Sequence, residues 1–302
     1  MTTTLQTQTK QSREKKPVWL KRNLPTGSDF EKVRQLLSKA SLHTVCQEAK
    51  CPNMWECFSR HTSTFMIMGD QCTRNCRFCN VKTGTPMPLD PYEPKRVANA
   101  ALELGLKYVV ITSVTRDDLE DGGASHFAQT IGEIKKLSQI DAQKQAQKIK
   151  VEVLIPDFQG DLDALKVVID AEPDVLNHNI ETVPSLYQTV RPEAIYQRSL
   201  ELIERASNIN RTMPIKSGIM VGLGETKDEL KATIIDLYNH GCKILTIGQY
   251  LQPSAKHLPV VKFYEPKEFD ELKEFAESVG FKSVASAPFV RSSYQADKLC
   301  CG

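Results

Sequence analysis

Residues 72–79 read Cys72-Thr73-Arg74-Asn75-Cys76-Arg77-Phe78-Cys79, three thiols separated by three residues and then two. Thiolates are soft ligands suited to iron–sulfur clusters or zinc, and four of them ordinarily close either site. Here one loop supplies three. A cubane held by three thiolates keeps one iron without a protein ligand, and an open metal position is where chemistry on a bound molecule takes place. The competing reading is a structural zinc loop. Zinc knuckles, however, come as two C-x2-C pairs, and Cys72 and Cys76 break that pairing.

Working outward, the loop directly follows an apolar run at 64–68. Further strand-like runs lie at 108–113, 151–155, 175–179, 215–221 and 244–248. Amphipathic patterns with recognisable ends alternate with them. Pro94 opens one, with Val97, Ala101 and Leu104 on its face and Gly105 as its stop. Asp161 opens another. Thr226 and Glu229 form a capping box ahead of Leu230, Ile234 and Leu237, with Gly241 at the end. A last helix starts near Pro266 and stops at Gly280. Alternation of this kind predicts parallel strands joined by right-handed crossovers. Six units predict an α/β fold, a partial (β/α)6 barrel of the TIM type, since eight units would strain the available length. Sites in such barrels form at the carboxyl ends of the strands. The cysteine loop therefore belongs at the mouth, facing polar strand ends at Ser113–Asp118, 177–181, Lys216, the Gly222-Leu223-Gly224 turn and Gln249-Tyr250.

Upstream, residues 1–25 read as a disordered tail. Ser28 and Glu31 then form a capping-box signature before a helix presenting Phe30, Val33, Leu36, Leu37 and Ala40. The run 141–148 reads as an exposed helix end or loop. The chain of 302 residues is 40% hydrophobic and 25% charged, with a formal charge of +2. That composition is ordinary for a soluble globular protein and gives no warrant for nucleic-acid binding. No apolar run reaches the length of a membrane span, and the tail lacks the apolar core of a secretory signal. Nine cysteines without an export signal predict reduced thiols held for metal in a cytoplasmic protein. Cys242 reads as a small buried hydrophobe, Cys300 and Cys301 as tail thiols.

A second group, Cys46, Cys51 and Cys57, is spaced by four residues and then five. Again there are three thiols, so a second cluster would lack one cysteine ligand. The two patterns together resemble the lipoyl synthase family of the radical S-adenosylmethionine superfamily. The resemblance extends over nearly the whole chain beyond the tail. It includes Glu48-Ala49-Lys50-Cys51-Pro52-Asn53, Thr112-Ser113-Val114 with Arg116-Asp117-Asp118-Leu119, Asp121-Gly122-Gly123, His178-Asn179-Ile180-Glu181-Thr182, Lys216-Ser217-Gly218 and the ending Arg291-Ser292-Ser293-Tyr294.

The resemblance implies a sulfurtransferase. S-adenosylmethionine chelates the open iron of a 4Fe–4S cluster on Cys72, Cys76 and Cys79. One electron cleaves it to methionine and a 5′-deoxyadenosyl radical. The radical takes hydrogen from C6 and then C8 of an octanoyl group on a carrier lysine. Sulfur comes from a second, auxiliary 4Fe–4S cluster on Cys46, Cys51 and Cys57. The family pattern maps its fourth ligand to Ser293, although spacing alone leaves Ser292 open. An alkoxide suits a soft site less well than a thiolate, which implies a corner built to be labile. The barrel implied is of the radical S-adenosylmethionine kind, with an N-terminal extension at 26–62, the barrel at 63–285, and a C-terminal segment at 286–302, both extensions lying over the mouth. Thr115, Arg116, Asn179 and Glu181, at strand ends, are the candidate contacts of S-adenosylmethionine. Each has a plainer alternative: Arg116 would pair with Asp117 or Asp118, and Asn179 and Glu181 would cap a turn. His178 reads as a satisfied strand-end histidine.

The implied partners are octanoylated lipoyl domains of 2-oxoacid dehydrogenase E2 subunits and the glycine cleavage H protein, an electron donor such as flavodoxin or ferredoxin, and an iron–sulfur cluster carrier. Neither nucleic acid nor membrane is implied. The rivals are another sulfur-inserting radical enzyme, acting on a biotin precursor or tRNA, and a cluster carrier without turnover. The second cysteine group precedes the radical motif, which disfavours the first two. The polar strand ends disfavour the third.

Overall fold

The computed structural model describes residues 16–21, 28–59, 63–145 and 148–301. Most of the expected disordered tail therefore lies outside the described residues, as do the Ser28 side chain of the first capping signature and the side chains of 141–147. The chain enters through α1 (Ser28–Lys39), the two-residue strand β1 (His43–Thr44), and two short helices, α2 (Val45–Glu48) and α3 (Met54–Ser59). Thr44 caps α2 by accepting from the Gln47 amide, the usual role of a threonine at that place.

From β2 (Thr64–Ile67) onward, strand and helix alternate. A small ribbon, β3 (Gln71–Cys72) with β4 (Lys82–Thr83), brackets the cysteine loop. Then come α4 (Glu93–Glu103), β5 (Tyr108–Ser113), α5 (Ala124–Gln145), β6 (Lys150–Leu154), α6 (Leu162–Asp170) and β7 (Val175–Asn177). They are followed by α7 (Tyr187–Val190), α8 (Tyr196–Ile209), β8 (Ile215–Val221), α9 (Lys227–Asn239), β9 (Ile244–Gln249), α10 (Pro266–Val279), β10 (Ser283–Ser286) and α11 (Ala296–Cys301). The predicted ends hold. Asp161 accepts from the amides of Asp163 and Ala164, the Thr226–Glu229 capping box forms on both sides, and Gly280 closes α10 in the left-handed conformation.

The sheet order is β1-β2-β5-β6-β7-β8-β9-β10. Every pair is parallel except β1 with β2. Successive helices α4, α5, α6, α8, α9 and α10 pack side by side around the outside. The strands are covered on both faces, which is why they read as continuous apolar runs without alternation. β1 and β10 do not pair, so the barrel stays open on that side. The expected partial barrel is present with one parallel strand more than the six expected. That strand, β10, is four residues long with serine at both ends, too short and polar to stand out. It also spans the boundary expected at 285/286.

The extensions lie differently from the expectation that both cover the mouth. β1 is antiparallel to β2, pairing His43 with Met66 and Thr44 with Phe65. The chain leaving β1 thus runs toward the start of β2, and Cys46 arrives beside Thr64. The C-terminal segment begins at the mouth: Ala287 donates to Ile247, and the Pro288 carbonyl accepts from Gln249. It crosses β9 where Gly248 leaves room, since a Cβ there would collide with the Val290 carbonyl. It ends with α11 against β10 and β5.

Candidate metal centre

The Cys72 loop leaves the carboxyl end of β2 and is stitched to the next strand end. Thr73 donates through both its amide and its hydroxyl to the Thr115 carbonyl, at 3.1 and 3.0 Å. The amides of Thr115 and Arg74 point at the Cys72 sulfur, at 3.3 and 3.5 Å. Arg74 itself turns inward and is 6% exposed. It donates to both oxygens of Asp117, at 2.6 and 2.8 Å, and to Asp157 at 2.7 Å. Asp157 also accepts from Arg198 at 2.8 Å. Burial alone would raise the Asp157 pKa; the hydrogen bond and charge of Arg74 outweigh it and hold the carboxyl far below its ordinary range.

On its far side the loop is clipped by the segment after β9. His257 Nε2 donates to the Cys79 carbonyl at 2.9 Å, and the Arg77 carbonyl accepts from the Leu258 amide. Nothing in the spacing of His257 signals this contact. Burial pushes the Cys79 thiol up to about 12, with Cys76 and Cys72 adding to it. Burial also raises the Cys76 thiol, and the Arg191 guanidinium works against that rise.

The four strand-end candidates fall in different settings. Thr115 meets Cys72 through its main chain. Arg116 is buried and clamped on Asp118, with Nε at 2.8 and 3.2 Å and Nη2 at 2.8 Å, the pairing read as the plainer alternative. Asn179 donates to Glu181 at 3.1 Å, and both face the cysteine loop: Glu181 lies within electrostatic reach of Cys76 and Cys79. Burial raises the Glu181 pKa, and Arg191 opposes the rise. Arg191 is the residue that sequence reading missed. It follows the short α7, looks like a surface arginine, and instead donates inward to the carbonyls of Asn179 and Ile180. His178 is satisfied, as expected: Nδ1 donates to the Ile155 carbonyl at 2.9 Å, and Nε2 accepts from Ser199 at 3.0 Å. Cys242 is fully buried.

The second cysteine group lines a cavity of about 240 Å³ with Asn53, Ser63, Thr64, Tyr108, Arg291, Ser293 and Tyr294 among its walls; Ser292 is not among them. Cys46, Cys51 and Cys57 come from α2, the turn after it, and α3. Ser293 arrives from the other end of the chain. Two hydrogen bonds join those ends, Asn53 Nδ2 to the Phe289 carbonyl and Tyr294 Oη to Glu56, each 2.7 Å. The inner wall is the amino end of β2 and β5. Burial pushes the Cys46 thiol up to about 12, and Cys51 and Cys57 add to this. Asn80, next to Cys79, donates to the Glu48 carbonyl at 2.7 Å and so ties the two cysteine segments together.

Both places suit iron–sulfur clusters. The cavity holds several times the roughly 30 Å³ share of one water, and its donors are soft thiols with a hydroxyl opposite. Raised thiol pKa values mean that metal must displace protons on binding. Among the described residues no three His, Cys, Asp or Glu side chains converge on a single ion; a cubane takes one thiolate per iron, so its thiols stand apart. By the Cys72 loop, Asn179 Oδ1, Arg116 Nη1 and Arg191 Nε are buried without partners. They are the donors and acceptor that a ligand with amino and carboxylate groups would satisfy.

The radical S-adenosylmethionine superfamily profile matches residues 66–237. The N-terminal domain of lipoyl synthase of that superfamily matches residues 2–51. The lipoyl synthase of Caldicellulosiruptor saccharolyticus is 55% identical over 284 residues, which is 94% of this chain and 97% of that one. The chain belongs to the lipoyl synthase family. The lipoyl synthase of Caldicellulosiruptor bescii is 56% identical, covering 94% of each chain. Two solved structures share the fold: HydG, a maturase of the FeFe-hydrogenase, at a TM-score of 0.50 and 17% identity over 86% of this chain and 73% of that one, and Streptococcus suis SuiB bound to S-adenosylmethionine, at 0.51 and 9% over 82% and 51%. As a lipoyl synthase, the protein is a sulfur-inserting radical enzyme. Among the described residues no helix is long and apolar enough to cross a membrane.

Proposed function

We propose that this lipoyl synthase carries two 4Fe–4S clusters, one on Cys72, Cys76 and Cys79 and an auxiliary one on Cys46, Cys51, Cys57 and Ser293. It inserts two sulfur atoms, at C6 and C8 of an octanoyl-lysine on a lipoyl carrier domain. The observation that supports this most is the meeting of Ser293 with the three upstream thiols around one cavity, with Ser292 outside it. When bound, the first cluster with S-adenosylmethionine supplies the radical chemistry, and the auxiliary cluster supplies the sulfur.

The chain's own residues do the rest. Arg74, His257 and the Thr115 main chain fix the first loop. Asn179, Glu181 and Arg191, with Thr115 and Arg116, form the polar wall for S-adenosylmethionine. Gly218 keeps that wall open, since a Cβ there would press on Asn179 Oδ1. The Asn53–Phe289 and Glu56–Tyr294 bonds hold Ser293 over the thiols. Placing the groups in near contact replaces a chance encounter by a preset one. E2 lipoyl domains and the glycine cleavage H protein are the proposed carriers, flavodoxin or ferredoxin the electron donor, and a cluster carrier the source of repair. Cys46, Cys72, Cys76, Cys79 and Cys242 are not in disulfides, in keeping with a cytoplasmic setting.

The test is Cys46→Ala after anaerobic reconstitution. About half of roughly eight irons per chain should be lost. Release of 5′-deoxyadenosine should survive while the gain of two sulfurs on an octanoyl-lysyl peptide fails. Full iron in the variant would overturn the assignment.

A further inference from the structure

The wall of the Cys46 cavity carries several polar groups besides the thiols and Ser293, and some of them have protein partners. Tyr108 Oη donates to Glu152, Tyr294 Oη to Glu56, and Asn53 Nδ2 to the Phe289 carbonyl. Thr64 directs its amide and hydroxyl to Cys46. Ser63 is different. It lines the cavity, is 8% exposed, and its hydroxyl is buried with no protein partner. Buried hydroxyls are ordinarily bonded, and an orphan marks a missing partner. Ser63 sits at the entrance to β2, a rigid element, immediately before the residue that already bonds to Cys46.

The occupant of this cavity, on the reading proposed above, is an anionic cluster whose outer surface is sulfur, an acceptor. A hydroxyl can donate or accept, and against such a surface it donates. We infer that Ser63 donates its hydroxyl hydrogen to a sulfur of the auxiliary cluster, either a sulfide or the Cys46 thiolate, and thereby tunes that cluster. Ser63 is a positioning and tuning residue, distinct from the ligand role given to Ser293. Hydrogen bonds to cluster sulfur are among the factors that set the reduction potential. By drawing electron density from the sulfur, this bond favours the reduced cluster.

The test uses the fully reconstituted chain. Potentiometric titration of the holoprotein should give two waves, and added S-adenosylmethionine identifies the one belonging to the first cluster by moving it. In Ser63→Ala the other wave should shift to more negative potential with iron content unchanged. Ser63→Thr, which keeps the hydroxyl, should stay close to the parent. Superimposable auxiliary waves in Ser63→Ala and parent would overturn the inference. Cys46→Ala separates the two levels. If it retains all its iron, the auxiliary-site reading falls. If it loses about half while Ser63→Ala matches the parent, only the role of Ser63 falls.

Discussion

Arg74 reaches across the molecule to Asp157 and donates a hydrogen bond of 2.7 Å, while two further bonds go to Asp117. The middle one of the three residues between the first two cysteines is thus tied to the loop after β6, and through Asp157 to Arg198 on α8. The strut fixes a loop whose remaining contacts are mostly single main-chain bonds. Asp157→Asn should destabilise the chain by about 2 kcal/mol, because Arg74 keeps Asp117 but loses the buried charged acceptor that it shares with Arg198. It should also slow release of 5′-deoxyadenosine while iron in the auxiliary site stays. Denaturant unfolding and iron counts with the nucleoside assay check both parts.

Lys216 and Glu152 are each about 1% exposed, at 2.9 and 3.1 Å, with Tyr108 and Asn177 also donating to Glu152. Lys216→Met alone should cost about 3–5 kcal/mol, since it strands a buried carboxylate. The double variant Lys216→Met with Glu152→Leu should cost much less. Unfolding curves on both single variants and the double decide it; a double-variant loss equal to the sum of the two single losses would mean that the pair has no coupling.

Burial lowers the His178 pKa to about 4 from an ordinary 6.5, with the nearby Arg191 charge adding. The unfolded chain therefore binds more protons between those values, and stability rises with pH across that window. Its contribution is complete above pH 6.5 and falls away as pH drops toward 4, by about 3 kcal/mol in all. His178→Gln should flatten that part of an unfolding-versus-pH profile. An unchanged slope would show that the imidazole titrates freely.

Ser293→Cys should hold its iron at least as firmly as the parent against a chelator, because a thiolate is the softer ligand. The yield of doubly sulfurated octanoyl-lysyl peptide should drop sharply. Mass spectrometry of the peptide beside a chelator time course reads both. Full product with a tightened cluster would show that the serine corner is not what makes the sulfur available.

Local features were legible in the sequence. The helix ends at Asp161, Thr226 and Gly280 announced themselves because a cap is decided by one or two side chains next to the backbone they satisfy. The cysteine triplets stand out because each lies within a dozen residues of chain, so that their spacing can be read directly. The pairs Arg74–Asp157, His257–Cys79 and Lys216–Glu152 were not legible, since they join residues 64 to 178 positions apart and only the folded sheet with its loops brings them together. The same holds for the place of the Cys46 group. It depends on the antiparallel sense of a two-residue strand, too short for any periodicity to reveal.

The crossing of the C-terminal segment past Gly248 also imposes an order on synthesis. The thiols of both triplets leave the ribosome early, before most of the barrel exists. Ser293 emerges almost last and can reach them only once β9 and β10 are in line. On the proposed ligand set, maturation of the auxiliary centre is a post-translational event, and a truncated or stalled polypeptide would offer a scaffold with its final corner missing.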